Sequence, residues 1–192
     1  MHAKLFQSHP PPDGVGIEGE AVIIRNAISA DDYRAFGGLI REYVDWCRER
    51  YTHDRWFIEA AFGHQSLDAE LQTLSLTYGP PNGKTLLALD DGEVKGACAY
   101  RRLSHQVCEM KRLFVPSRNQ EKGIGRLLCQ SIIVEAREDG FTLMRLDTAN
   151  LFMEAIAMYK SAGFQECAAY NEYPSELMPH IIFMELPLAV RD

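Results

Sequence analysis

Apolar positions recur at two different spacings in the N-terminal part of the chain. The run AVIIRNAI (21–28) is rich in β-branched residues and predicts a strand, and Ser29 follows it as a helix N-cap. From there to Cys47 the apolar residues come three and four positions apart, which is typical of an amphipathic helix. Asp31 and Asp32 fall in its first turn, where the helix dipole favours anions.

An alternating pattern occupies the middle of the chain. After an aromatic and charged stretch over 48–65, the spacing predicts a short helix at 66–77. Two apolar runs flank Asp90-Asp91-Gly92, which predicts a β-hairpin. The segment VCEMKRLFV (107–115) predicts a further strand. Its alternation assigns five residues to one side: Val107, Glu109, Lys111, Leu113 and Val115.

Helix and strand patterns alternate in the last part of the chain. Leu128, Ile132 and Ala136 form the stripe of a helix that Gly140 ends. The predicted elements are a helix over 124–139, a strand at 142–149, a helix over 153–163, and strands at 165–170 and 181–186. The complete order predicts the α/β (α+β) class, with a mixed sheet flanked by helices on both sides.

Composition indicates a soluble globular protein. Of 192 residues, 46% are hydrophobic and 24% charged, and no apolar run approaches the roughly 18 residues of a membrane span. Residues 1–20 contain several Pro and Gly and lack the apolar core of a secretory signal. We therefore expect a flexible lead-in over 1–20 and a single domain over 21–192. The net charge of −7 disfavours nucleic acid as the main partner.

The cysteines and histidines indicate neither a disulfide framework nor a metal site. The five cysteines are well spaced and form no CxxC pair, and the six histidines lack ligand spacing. We expect the cysteines to be reduced core residues of a cytoplasmic protein that has no metal and no membrane partner.

The stretch QEKGIGRLL (120–128) carries the first candidate chemistry. It lies where a strand leads into a helix, whose N-terminus offers unpaired N–H groups and a positive dipole end. Glycine in such a turn lets an anion approach the backbone closely. Between 111 and 126 there is one acidic residue, Glu121, against five basic ones: Lys111, Arg112, Arg118, Lys122 and Arg126. These features favour a polyphosphate ligand, and the alternative is a turn without a ligand.

Two familiar phosphate-binding loops do not match this stretch. A Walker loop needs Lys followed by Ser or Thr after its last glycine, whereas Arg126 and Leu127 follow here. A dinucleotide fingerprint needs a third glycine where Leu128 stands. A nucleotide- or dinucleotide-binding protein is therefore the disfavoured alternative.

Two motifs resemble those of the GNAT N-acetyltransferase superfamily. Gln120-x-x-Gly123-x-Gly125 is similar to its motif A, Gln/Arg-x-x-Gly-x-Gly/Ala. AIAMYKSAGF (155–164) resembles its A-x-x-L/M-Y-x-x-x-G-F segment, and the order of elements matches from about 21 to 188. The resemblance implies a GNAT domain with a mostly antiparallel sheet, and an enzyme that transfers an acetyl group from acetyl-CoA to a primary amine.

The resemblance also implies which residues hold the donor. The motif A backbone would bind the pyrophosphate, with Lys122 and Arg126 as charge partners. That loop comprises Gln120, Glu121, Lys122, Gly123, Ile124, Gly125 and Arg126. The backbones of Leu113, Phe114 and Val115 would pair with the pantetheine arm. Several subfamilies carry a cofactor-binding asparagine where this chain has Phe152, so Asn150 is the candidate substitute.

Tyr159 and Glu109 are the catalytic candidates that the resemblance implies. Tyr159 occupies the position of a tyrosine that protonates the CoA sulfur; its alternative role is packing beside Ala155 and Ile156. Glu109 resembles the glutamate base of some members. Its alternatives are a carboxylate that pairs with Lys111 or Arg112, or one that binds a cationic substrate, with a water chain serving as the base.

The acceptor is the least specified part of the prediction. The family builds its pocket from the first two helices, their connection and the C-terminal strands, which corresponds here to 51–64 and 168–180. RWFIEAAF (55–62) could instead be a core helix that buries Trp56 and Phe57. The expected partner is a small-molecule or peptide amine, the protein being a monomer or homodimer. A non-catalytic acyl-CoA sensor is the other alternative.

Overall fold

The computed structural model describes residues 22–64, 66–120 and 123–188, so the lead-in predicted for 1–20 lies outside them. The strands are β1 Ile23–Asn26, β2 Gly83–Asp90, β3 Glu93–Arg102, β4 Val107–Phe114, β5 Leu143–Ala149, β6 Gln165–Glu166 and β7 Ile181–Pro187. The helices are α1 Ala30–Arg50, α2 Arg55–His64, α3 Leu67–Gln72, α4 Leu74–Tyr78, α5 Ile124–Glu138 and α6 Met153–Ser161.

The seven strands form one sheet in the order β1-β2-β3-β4-β5-β7-β6. Only β4 and β5 run parallel, and the other neighbours are antiparallel. The mixed, mostly antiparallel sheet predicted from the sequence is therefore confirmed. The hairpin at Asp91 and Gly92 is also present, and both residues have the positive φ that a tight primed turn requires.

One face of the sheet is covered by α5 and α6. The predicted stripe of α5 is buried there, and Tyr159 of α6 joins the same cluster. Gly140, at a φ of 84°, stops α5 as expected.

The other face is covered by α1 and α4. Ser29 caps α1 in a capping box with Asp32, which also accepts a hydrogen bond from Arg25 at 2.6 Å. Phe36 and Ile40 of α1 then pack with Phe114 of the sheet.

Several elements differ from the sequence prediction. The helix predicted at 66–77 is two short helices separated at Thr73. The weak pattern over 48–65 hides α2, in which Phe57 is buried as expected but Trp56 is 51% exposed. Of the strand predicted at 165–170, only β6 forms.

A bulge in β4 overturns the alternation predicted for that strand. Ala99 faces Lys111 while Ala97 faces Phe114, so one extra residue lies in β4, and Arg112 has a φ of 57°. Past the bulge, Leu113 and Val115 fall on the side of Cys108 and Met110 rather than that of Glu109 and Lys111. A prediction from strict alternation cannot anticipate an extra residue, which moves every later side chain to the other face of the strand.

The bulge is held by a buried ion pair. The Arg112 guanidinium donates two hydrogen bonds to Glu70 of α3, one of them from Nε at 2.9 Å. The Tyr78 hydroxyl donates to the same carboxylate. These contacts stabilise a backbone conformation that an L-residue rarely adopts.

Candidate active site

A cleft opens where β4 and β5 separate. The two strands are paired only from Val107↔Leu143 to Glu109↔Arg145. Beyond that point, next to the Arg112 bulge, a cleft of about 550 Å³ lies between them. Its size falls in the range of small-molecule sites.

The N-terminus of α5 forms one end of the cleft. Gly123, at a φ of 73°, is the N-cap and has no side chain, so no capping group occupies the first N–H groups, which lack an intrahelical partner in any helix. A Cβ at Gly123 would meet no atom within 4 Å, so the backbone is open to a ligand. The Gln120 side chain donates to the Val115 carbonyl at 3.0 Å, which ties this turn to β4. The arrangement fits a pyrophosphate group.

Most of the predicted donor-binding residues line the cleft. Those that line the cleft are Leu113, Phe114, Val115, Gln120, Gly123, Ile124 and Gly125. Arg126 is exposed outside that lining, and Glu121 and Lys122 lie outside the described residues. Asn150 is also outside the lining. Its Nδ2 donates to the Pro179 carbonyl at 3.5 Å, and its buried Oδ1 has no partner among the described residues.

Tyr159 lines the cleft from α6. Its ring packs edge-on against Phe164 at 5.9 Å, and the residue is 9% exposed. Burial, with the nearby cysteines and Asp147, raises the pKa of Tyr159, so the phenol is protonated at neutral pH. No described residue hydrogen-bonds to its hydroxyl. The group is therefore available to a ligand.

Glu109 lies behind the cleft wall and is fully buried. Its Oε2 accepts from Arg101 Nε at 2.6 Å, and its Oε1 accepts from Asn171 Nδ2 at 2.8 Å and the Tyr170 hydroxyl at 3.2 Å. Lys111 Nζ is 3.8 Å away. The main cation is thus Arg101, which faces Glu109 across the β3–β4 pair and was not anticipated from the sequence.

Asp147 is a carboxylate of the cleft that sequence reasoning missed. It lines the cleft from β5 and accepts hydrogen bonds from Lys111 Nζ at 2.9 Å, Asn171 Nδ2 at 2.8 Å and the Tyr173 hydroxyl at 3.0 Å. Burial alone would raise the pKa of Asp147, but Lys111 and the two neutral donors outweigh it and lower the pKa. Asn171 joins Asp147 and Glu109 through one amide nitrogen.

The end of the cleft below α1 and α2 is walled by aromatic rings. We refer to this end as the aromatic chamber, formed by Tyr43, Trp46, Tyr51, Phe62, Phe114 and Phe152. Tyr43 lies 5.2 Å from Phe114 and 5.6 Å from Phe62 between ring centroids. The spacing of α1 predicted Tyr43 only as a core residue. Trp56 lies outside the chamber and contacts His180 at 5.4 Å.

Within 22–64, 66–120 and 123–188, no helix is long and apolar enough to cross a membrane. In the same ranges, no group of His, Cys, Asp and Glu side chains is arranged to hold a metal ion.

Comparison with known proteins agrees with this geometry. Residues 39–164, the greater part of the chain, match the acetyltransferase (GNAT) family. An uncharacterized N-acetyltransferase of Schizosaccharomyces pombe is 34% identical over 161 residues, which are 83% of this chain and 88% of that protein.

Solved structures show the same fold. An acetyltransferase of Streptococcus agalactiae superposes with a TM-score of 0.68 at 16% identity, over 88% of this chain and 99% of that one. YncA of Salmonella typhimurium, solved with its cofactor acetyl-CoA, gives 0.62 at 19% identity, over 90% of this chain and 97% of that one. The chain belongs to the acetyltransferase (GNAT) family and is an N-acetyltransferase.

Proposed function

We propose that the protein transfers the acetyl group of acetyl-CoA to a primary amine, which attacks the thioester directly. One observation carries the proposal: a single cleft joins an anion-binding helix N-terminus to the aromatic chamber through the gap between β4 and β5. Donor and acceptor can therefore enter from opposite faces of the sheet and meet in the gap. Holding two reactants in one geometry removes much of the entropic cost of their encounter.

The donor half uses mainly backbone groups. The pyrophosphate would accept hydrogen bonds from the N–H groups at Gly123, Ile124 and Gly125, and the pantetheine arm would lie along Leu113–Val115. The unpaired edge of β4 beyond Glu109 supports this pairing, because its peptide groups face the gap and not β5. Contacts from Glu121, Lys122, Arg126 and Asn150 stay predictions.

The reaction needs two proton movements. The amine nitrogen forms a bond to the acetyl carbon, the C–S bond breaks, one proton leaves the nitrogen and one reaches the thiolate. Tyr159 is the donor of the second proton, and solvent restores its own. Its place in the cleft and its protonated phenol at neutral pH support this role.

The proton that the amine loses passes to the carboxylates Asp147 and Glu109. Glu109 stays the predicted base, but its oxygens are occupied by Arg101, Asn171 and Tyr170, so direct contact with the amine is not supported. We infer that a water carries the proton, with Asp147 at the cleft and Glu109 behind it. Asp147→Asn should then lower kcat more than Glu109→Gln, because Asp147 lines the cleft and Glu109 lies behind it. Unaltered kcat in both variants would argue against the network.

Calorimetry followed by a thiol-release assay tests the function as a whole. We expect acetyl-CoA to bind and a panel of primary amines to release free CoA thiol. Absence of binding would reject the proposal, and binding without release on any amine would indicate an acyl-CoA sensor.

Substitution of the acid is the sharper test. Tyr159→Phe should lower kcat and leave the Kd of acetyl-CoA nearly unchanged. The matched control is Tyr33→Phe, since Tyr33 is a partly buried tyrosine outside the cleft. Equal kcat in Tyr159→Phe and wild type would remove Tyr159 from the mechanism.

Three features outside the site also stay predictions. They are the cytoplasmic location, the monomeric or homodimeric state, and the absence of a nucleic-acid partner.

A further inference from the structure

Several rings of the aromatic chamber are only partly buried. Tyr43, Trp46, Tyr51 and Phe152 remain partly exposed although they pack against one another. All four also line the cleft. Aromatic surface left open in a cleft is typical of a binding wall.

The chamber lies on the opposite side of the sheet from the pyrophosphate cradle. Phe114 packs in the cluster of α1, whereas Leu113 and Val115 pack in the cluster of α5. The bulge at Arg112 sets these directions. A donor held by the α5 terminus therefore reaches the chamber only with its acyl end, which leaves the chamber to the acceptor.

Charge around the cleft disfavours a polycationic acceptor. The described carboxylates that line it are Asp147 and Glu154, and each already pairs with a cation, Lys111 and Arg50 respectively. Arg50 also lies over the Trp46 ring at 5.2 Å, at the rim of the chamber. A polyamine or a basic peptide would need free carboxylates that this lining does not supply.

We propose that the acceptor is an arylalkylamine, an amine joined to an aromatic ring by a short alkyl linker. This inference rests on the proposed function. The ring occupies the aromatic chamber against Trp46 and Tyr43, and the amine points toward Asp147 and Tyr159. Trp46 is then a specificity-determining residue, because it binds the ring and takes no part in the proton transfers.

The first test is an acceptor panel at saturating acetyl-CoA. It compares 2-phenylethylamine, tyramine and tryptamine with n-butylamine and spermidine. We expect kcat/KM for the aromatic amines to exceed that for n-butylamine by about tenfold or more, the discrimination that an apolar pocket achieves. Equal values, or a preference for spermidine, would overturn the inference while leaving the acetyltransferase proposal intact. No turnover together with no acetyl-CoA binding would instead reject the proposed function.

A donor panel separates the acceptor from a long acyl chain as occupant of the chamber. Acetyl-CoA and hexanoyl-CoA are compared with n-butylamine as the acceptor. We expect acetyl-CoA to be the better donor. A preference for hexanoyl-CoA would assign the chamber to the acyl group and overturn the inference.

The second test changes the chamber itself. Trp46→Leu should lower the preference for 2-phenylethylamine over n-butylamine by about three- to tenfold, the contribution of one aromatic pair. The KM of acetyl-CoA should change little. An unaltered preference in Trp46→Leu would contradict the assignment.

A binding measurement decides the matter if that variant does not fold. The chain has two tryptophans, and Trp56 is exposed outside the cleft. Trp56→Phe therefore leaves Trp46 as the only indole and keeps the chamber intact. We expect 2-phenylethylamine to change its fluorescence in a saturable way and n-butylamine to leave it unchanged. No change with either amine would place the ring elsewhere.

Discussion

The two glycines of the α5 turn should respond oppositely to the same substitution. Gly123 has a φ of 73°, so alanine there adopts a left-handed conformation although space is free around its Cβ. Gly125 lies in the helix, and its Cβ would be 3.8 Å from Met158 Sδ and 3.9 Å from Val115 Cγ2, which is ordinary van der Waals contact. At Gly123 the backbone angle makes alanine unfavourable, whereas at Gly125 it does not.

The expected difference in stability follows from these angles. A left-handed L-residue costs roughly 1–2 kcal/mol, so Gly123→Ala should destabilise the fold by about 1 kcal/mol after the smaller entropy of its unfolded chain is subtracted. Gly125→Ala should stabilise it by about 0.5–1 kcal/mol through helix propensity. The two variants should therefore differ by about 2 kcal/mol, or about 4–8 °C in Tm for a protein of this size.

Donor affinity should separate the variants further. The φ of Gly123 aims the N–H groups of the turn, and losing one hydrogen bond to a charged phosphate lowers affinity by about tenfold or more. Gly125→Ala should bind nearly as tightly as wild type, whereas Gly125→Glu should bind weakly because its charge faces the pyrophosphate.

Thermal melts without ligand and calorimetry with acetyl-CoA measure both effects. Gly38→Ala is the matched control, since Gly38 is an exposed glycine of α1 with no atom within 4 Å of its Cβ. It should raise the Tm and leave donor binding unchanged. The reasoning is refuted if Gly123→Ala melts no lower than wild type, or if Gly125→Ala is the variant that loses acetyl-CoA.

Three further predictions concern the scaffold. Arg25 and the N–H groups at the start of α1 lower the pKa of Asp32, so its stabilisation is present above pH 4 and lost as the pH falls. Asp32→Asn should therefore reduce the free energy of unfolding by about 1 kcal/mol at pH 7, with the gap to wild type closing in acid denaturation series. Glu70→Gln should cost about 3–5 kcal/mol in urea melts, because Arg112 is left buried without its counter-charge, and an unchanged midpoint would contradict this. Only Cys167 should react with iodoacetamide in the native protein and all five thiols in denaturant, since the other four are buried away from the reagent: Cys47, Cys98, Cys108 and Cys129.

The sequence predicted the ends of helices well where those ends depend on a few neighbouring residues. Ser29 caps α1 and Gly140 ends α5, because capping depends on a few adjacent residues. Thr73 splits the predicted helix at 66–77, and no local pattern foretold the break.

The glycine turn of the cleft was predictable from the sequence, whereas the hydrogen-bond partners of Asp147 were not. The turn at Gly123 is contiguous in sequence, so a motif can report it. Asp147 accepts hydrogen bonds from Lys111, Asn171 and Tyr173, which lie apart in the sequence and are brought together only by the fold. The bulge at Arg112 could not be predicted from the local sequence either, because the ion pair that stabilises it joins Arg112 to Glu70 of α3, far away along the chain.

The short junction between β4 and β5 has a consequence for how the native fold opens. Backbone pairing between the strands β1–β4 and the strands β5–β7 is confined to the pairs from Val107↔Leu143 to Glu109↔Arg145. We expect the C-terminal strands with α6 to open as one cooperative unit at a lower free energy than global unfolding. Amide hydrogens of β7 would then exchange faster than those of β2 and β3 in the free protein. A donor bound in the gap as proposed would contact both sides of the junction, so its arrival should slow exchange in β7.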